Sequence, residues 1–200
     1  MKYEFAKYCN LDRWSSYWHQ INEIIKSNAR TVLEFGCGDG VAGRYIKFNT
    51  NIPYQCADIN PALNPDYILD LSNFSLADKK FDTVCAFEVL EHLPYEQFKI
   101  CLKKLMSVSN KYVLISLPHW GRHFSLSFQL PFFHKKRFQF KISAGGKHAY
   151  NGEHYWEIGK SGYPLKKIIT DIINVGLEVE RHYICHESPY HHFFILKIKK

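Results

Sequence analysis

From Gln97 to Gly152 the chain contains no Asp and no Glu. The same interval holds ten basic residues: Lys99, Lys103, Lys104, Lys111, Arg122, Lys135, Lys136, Arg137, Lys141 and Lys147. The whole chain carries +7 at pH 7, yet outside this interval 16 basic residues are set against 19 acidic ones. The positive field therefore belongs to one segment, and such a patch steers anions: phosphates, anionic lipid surfaces or nucleic acid. No apolar run approaches the length of a membrane span, which excludes a bundle of transmembrane helices. The opening MKYEFAKYCN lacks the apolar core of a signal peptide. The six cysteines include no CxxC pair, and Cys56 and Cys85 sit in apolar runs where a free thiol acts as a small hydrophobe. Together these features predict a reduced, cytoplasmic protein. There is no repeat and no low-complexity linker, so 200 residues read as one domain. The adjacent His191 and His192 fall in a strand-like run, where they point to opposite faces and do not easily grip one ion; no metal is expected in this protein.

What is present centres on Thr31 to Gly43, TVLEFGCGDGVAG. Thr31, Val32, Leu33 and Phe35 predict a buried strand interrupted by the charge of Glu34. Gly36, Gly38, Gly40 and Gly43 follow, and Val41 starts a helix. A strand, a glycine turn and a helix make a nucleotide-binding corner. Pro53 to Ile59 read as a second strand carrying Asp58, 18 residues beyond Gly40. An acidic residue about 20 positions after a glycine corner can accept both hydroxyls of a ribose.

Further strands are predicted at Tyr67 to Leu69, ahead of Asp70, at Phe81 to Phe87 and at Lys111 to Leu117. Pro94 opens a helix over Tyr95 to Met106. The resulting α/β pattern implies a parallel sheet with ligands outside the carboxyl ends of its strands. That puts Gly36, Asp58, Asp70, Phe87, Glu88, Pro118 and His119 on one rim. Ahead of the corner, residues 1–30 read as a helical cap. There Trp14, Tyr17, Trp18, Ile21, Ile24 and Ile25 recur at helical spacing, as in a helix packed on the sheet or a lid over the ligand. Residues 119–162 form a basic, aromatic insertion long enough to carry function. After it, Pro164 to Val175 predict a helix, and Leu177 to Cys185 and Phe193 to Ile198 a terminal antiparallel hairpin.

With VLEFGCGDG at Val32 to Gly40, Asp58, LDLSNF at Leu69 to Phe74 and FDTVCAFEVLEHL at Phe81 to Leu93, the chain resembles the class I S-adenosylmethionine-dependent methyltransferases. NGEHYWEIG, Asn151 to Gly159, is similar to a bacterial, type 11-like subset and carries no substrate with it. The resemblance implies a Rossmann-like seven-stranded mixed sheet, helices on both faces and a C-terminal antiparallel hairpin. It implies S-adenosyl-L-methionine as cofactor. Gly36 and Gly38 would meet its methionine part and Asp58 its ribose. Ile59 would pack on the adenine, Asp70 would accept from the adenine amino group with Leu71 beside it, and Phe87 and Glu88 would line the other side. Glu34 would help fix the glycine loop. The reaction implied is in-line displacement at a methyl group.

If the acceptor must lose a proton, His119, Glu153 and His154 are the candidate bases, whereas His92 reads as structural, pinning the helix after the fourth strand. Two other readings compete: a non-catalytic module that binds the same cofactor, and an NAD(P)-dependent oxidoreductase, since Gly38, Gly40 and Gly43 also match GxGxxG. The intact corner weighs against the module; Glu34 and the FDTVCAFEVLEHL block weigh against the oxidoreductase. For the acceptor, the basic aromatic segment suggests a small or lipid-linked anionic molecule. Peripheral membrane contact through FSLSFQLPFF is conceivable, and nucleic acid is less favoured because no RNA-binding motif is present.

Overall fold

The computed structural model of the chain describes residues 3, 8–76, 79–143, 145–150 and 152–199. Residues 1, 2 and 4–7 of the expected cap, and Asn151 of the NGEHYWEIG stretch, lie outside the described residues. Among the described residues nine strands and four α-helices of more than one turn follow one another: α1 (Leu11–Lys26), β1 (Val32–Phe35), α2 (Val41–Asn49), β2 (Tyr54–Asp58), β3 (Tyr67–Ile68), β4 (Phe81–Phe87), α3 (Phe98–Ser107), β5 (Ser109–Pro118), β6 (Arg122–Phe128), β7 (Lys136–Ile142), α4 (Leu165–Asn174), β8 (Leu177–Ile184) and β9 (His191–Ile198). Among the described residues no helix is long and apolar enough to cross a membrane.

Seven strands form one sheet in the order β3-β2-β1-β4-β5-β9-β8. The first five are parallel, and β9 enters antiparallel between β5 and β8. Burial on both faces explains why β1 and β4 are apolar apart from Glu34, Asp82 and Thr83. Alternation sorts their side chains: Leu33, Phe35, Val84 and Ala86 pack with α3, α4 and Trp156. Val32, Cys85 and Phe87 pack on the opposite face with Ile24 of α1 and Ile46 of α2. Helices thus cover both faces, as the sequence predicts.

The helix after β4 begins later than Pro94 suggests. Tyr95–Gln97 form a tighter 3-10 turn, and the α-helix runs from Phe98. The apolar stripe of α1 is only partly inward: Tyr17 and Ile24 are buried, whereas Trp14, Trp18 and Ile25 are exposed.

The basic insertion contains an antiparallel hairpin of its own, β6 and β7, outside the main sheet. Its polar face meets the body: Gln139 Nε2 donates to the Ile184 carbonyl at 2.6 Å, Lys141 Nζ to the Pro189 carbonyl at 2.5 Å and to the His119 carbonyl, and Arg137 pairs with Glu187. The other face carries Phe124, Leu126 and Phe128 across from Phe140 and Phe138, all exposed. Beyond the hairpin the chain turns back under the sheet's rim, where Trp156 is wholly buried and donates Nε1 to the Leu93 carbonyl at 3.1 Å.

Candidate active site

A cavity of about 470 Å³ opens at the carboxyl ends of β1, β2 and β4. The glycine turn after β1 builds its floor. Gly36 has φ +82, and a Cβ there would meet Val89 Cγ2 at 2.3 Å. Glycine is therefore required both by backbone and by the close approach of the turn after β4. Gly38, at φ +52, borders open space: a Cβ there would meet nothing within 4 Å. This is the form a backbone takes where a ligand rests against it.

Asp58, at the end of β2, ties the turn down. Its Oδ2 accepts from the Cys37 amide at 2.9 Å and its Oδ1 from the Asn60 amide at 2.8 Å. The Gly36 amide donates to the Ala57 carbonyl at 2.8 Å. Asp70 Oδ1 accepts from the Ser72 amide and hydroxyl at 2.8 and 2.7 Å, which fixes that carboxylate on the wall. Leu71 is buried beside it, and Ile59 stands exposed at the mouth. Glu34 is buried behind the turn, and burial holds its carboxyl well above the usual range.

The wall after β4 is unusual. Glu88 has φ +53, a conformation that costs a non-glycine residue about 1–3 kcal/mol and gathers at functional sites. Its amide donates to the Ser116 carbonyl at 3.1 Å. Burial raises its carboxyl to about 7, and Oε1 has no hydrogen-bond partner among the described residues.

All nine residues expected to hold the cofactor line this one cavity: Glu34, Gly36, Gly38, Asp58, Ile59, Asp70, Leu71, Phe87 and Glu88. The three candidate bases do not. His119 is buried and turned into a stack of imidazoles, its Nδ1 2.9 Å from His192 Nδ1, and burial lowers it to about 4. Glu153 is exposed, and its carbonyl lies 2.9 Å from His92 Nδ1. His154 stands one ring behind the wall, 5.0 Å from His92 centroid to centroid. His92 itself, read from sequence as structural, lines the cavity.

Sequence reasoning passed over Arg13, Tyr17 and Gln20, which α1 contributes to the cavity together with Asp39 of the turn. The Tyr17 hydroxyl donates to Asp39 Oδ2 at 2.6 Å; burial and this carboxylate hold the phenol well above its ordinary value. The helix before the corner thus closes part of the cavity.

Residues 8–139 match the family described as methyltransferase domain. Among curated proteins none matches the chain. Several solved structures share its fold. The N-methyltransferase NodS from Bradyrhizobium japonicum, solved with S-adenosyl-l-homocysteine, has 12% identity and a TM-score of 0.63 over 96% of this chain and 90% of its own. Magnesium protoporphyrin IX methyltransferase from Synechocystis, solved with S-adenosylmethionine, has 13% identity and a TM-score of 0.61 over 94% and 81%. An S-adenosylmethionine-dependent methyltransferase from Clostridium acetobutylicum has 10% identity and a TM-score of 0.60 over 99% and 96%. Sheet order, glycine turn and a family match across more than half of the sequence agree: the chain belongs to the methyltransferase domain family, with the class I S-adenosylmethionine-dependent fold.

Proposed function

We propose that the protein binds S-adenosyl-L-methionine in the 470 Å³ cavity and moves its methyl group to a small or lipid-linked anionic acceptor. The observation that carries the cofactor reading is the convergence of the glycine turn, Asp58 and Asp70 on one cavity, with open space over Gly38. Asp58 keeps lone pairs for two ribose hydroxyls beyond the amides it already accepts. Ile59 packs against the adenine, Asp70 accepts from its amino group beside Leu71, and Phe87 and Glu88 line the opposite side. Gly36 and Gly38 leave room for the methionine part, and Glu34 supports the turn from behind.

When bound, the cofactor would supply a methyl group on a sulfonium, open to in-line attack by an acceptor lone pair with the carbon–sulfur bond breaking and the sulfur leaving as a thioether. The chain's own contribution is alignment, and holding two reactants in line is worth about 7–11 kcal/mol. Neither His119 nor Glu153 is assigned to proton removal, because neither reaches the cavity wall.

Support for the acceptor class is the β6–β7 hairpin. It presents Phe124, Phe128, Phe138 and Phe140 to solvent, with Lys135, Lys136 and Arg137 near its tip. An exposed apolar face beside cations suits an anionic headgroup joined to a hydrophobic tail. Calorimetry with S-adenosylmethionine and with NAD tests the cofactor reading, and absence of binding by the former overturns it. A methyl-transfer screen with labelled cofactor against metabolites and lipids tests the acceptor class.

A further inference from the structure

Behind the cavity wall lies a group of side chains that the reading above leaves unused. Glu91, in the 3-10 turn after β4, has no exposed surface, and both its carboxylate oxygens lack a hydrogen-bond partner among the described residues. A buried, unpartnered carboxylate is costly. Burial drives its carboxyl well above the usual range, but protonation alone would still leave a buried hydroxyl and a buried carbonyl without partners. Facing it is His154, whose Nε2 lies 4.0 Å from Glu91 Oε1. One ligand atom each from Glu91, His92 and His154 falls within 4.8 Å of the others.

The histidines are oriented from behind. His92 Nδ1 is 2.9 Å from the Glu153 carbonyl, and His154 Nδ1 is 3.1 Å from Glu157 Oε1. Glu157 is in turn held by the Tyr190 hydroxyl at 2.7 Å. A carbonyl or carboxylate on Nδ1 fixes the tautomer that presents the Nε2 lone pair, as such partners do around metal-ligating histidines.

We propose that Glu91, His92 and His154 form a divalent-cation site, with Glu157 as the positioning residue of His154. Two imidazoles and one carboxylate suit a borderline first-row ion, Mn2+ to Zn2+, better than Mg2+ or Ca2+. Ligand atoms sharing one ion lie about 3–3.5 Å apart for metal–ligand bonds near 2.1 Å, so closure takes a shift of about 1 Å. Exposed His92 has room to make it. His92 also lines the cavity, as does Glu88 with its unpartnered Oε1. On the function proposed above, an ion held there would stand beside the cofactor cavity, where an oxygen of the acceptor is the ligand its open positions would suit. A second group, His19, Cys185 and Glu187, is also close enough to hold an ion. There Glu187 already pairs with His19 and Arg137, so it lacks the orphaned carboxylate.

The test titrates the purified chain with Co2+, followed by visible absorption, and with Mn2+, followed by electron paramagnetic resonance. One equivalent should bind saturably and without a thiolate charge-transfer band. E91Q and H154A should each weaken binding tenfold or more, and E157Q about 10–100-fold. H92A carries the test should buried Glu91→Gln fail to fold by circular dichroism. No saturation below about 1 mM overturns the site. So does affinity unchanged in H92A and H154A, or a thiolate band that disappears in C185S. Calorimetry with S-adenosylhomocysteine forms a separate arm. If that ligand fails to bind while the ion binds, the proposed function falls and the cation site stands. If it binds equally in wild type and H154A while the ion does not bind, the reverse holds.

Discussion

The glycine corner and the β6–β7 hairpin are opposites in construction. In the corner, polar groups are matched over short distances: the Cys37 amide on Asp58, the Gly36 amide on Ala57, the Ser72 amide on Asp70. Every backbone turn there has a reason in the packing around it. The hairpin is held to the body through Gln139, Lys141 and Arg137 on one face, and leaves Phe124, Leu126, Phe128, Phe138, Phe140 and Ile142 of its strands in solvent. A corner so tightly matched tolerates little change, whereas a face in solvent loses nothing inside the molecule when it changes. On the function proposed above, the corner would set what donates the methyl group, and the hairpin would be where acceptor choice can vary.

Perturbations graded by size can break or sharpen that contrast. The largest effect should come from pH, at the root of the hairpin. His192 is lowered by burial to about 2 and His119 to about 4. Above about pH 6.5 both are neutral in the folded and the unfolded chain. Below it the unfolded chain takes up protons that the folded one refuses. Stability should then fall by about 1.4 kcal/mol per pH unit for each histidine down to about pH 4. Urea titrations at pH 7, 6 and 5 check this, and a flat profile contradicts it.

Next, G36A forces a Cβ against Val89 Cγ2 and an alanine into φ +82. It should cost about 2–4 kcal/mol of stability and abolish cofactor binding, read by thermal melting and calorimetry. D58A removes a carboxylate that holds the turn and, as proposed, the ribose. It should weaken S-adenosylhomocysteine about 10–100-fold, from charge-assisted bonds worth about 1.5–3 kcal/mol. Replacing Lys135, Lys136 and Arg137 together with Ala should weaken acceptor use and leave cofactor affinity unchanged; equal loss of both would erase the distinction between the two regions. Smallest of all, F124S on the hairpin's outer face should change stability by less than about 0.5 kcal/mol. A larger loss in a melting curve would mean that this face is packed in the folded protein.

The same contrast explains what the sequence disclosed. β4 is legible because a strand buried on both faces is dominated by apolar residues, here Phe81 and Val84 to Phe87. Asp58 and the glycines are legible because turn geometry leaves few residue choices. The hairpin, by contrast, does alternate in FSLSF and RFQFKI, a period-2 signal, but its apolar positions face solvent and mimic a pocket wall. Arg13, Tyr17 and Gln20 face the cavity through the docking angle of α1, which spacing cannot supply. The placement of His119 failed for a different reason. The rim was located well, but a side chain at a strand's end can turn toward either neighbour, and His192 on β9 took it. His92 and His154 meet across 61 and more residues of chain, through contacts such as His92 to the Glu153 carbonyl that no local pattern encodes.

The return of residues 153–158 beneath the rim also bears on how the molecule is made. Tyr155 donates its amide to the Glu91 carbonyl, Glu153 steadies His92, and Trp156 fills the space below Leu93. A ribosome delivers β1, β2 and β4 well before it delivers this segment. The nascent chain can close its glycine turn early, but one wall of the cavity waits for Trp156, and the sheet waits longer still for β9, which inserts between β5 and β8. Such late, long-range pairing slows folding. In the order of synthesis the glycine turn comes first, the segment that supports His92 later, and the strand that completes the sheet last.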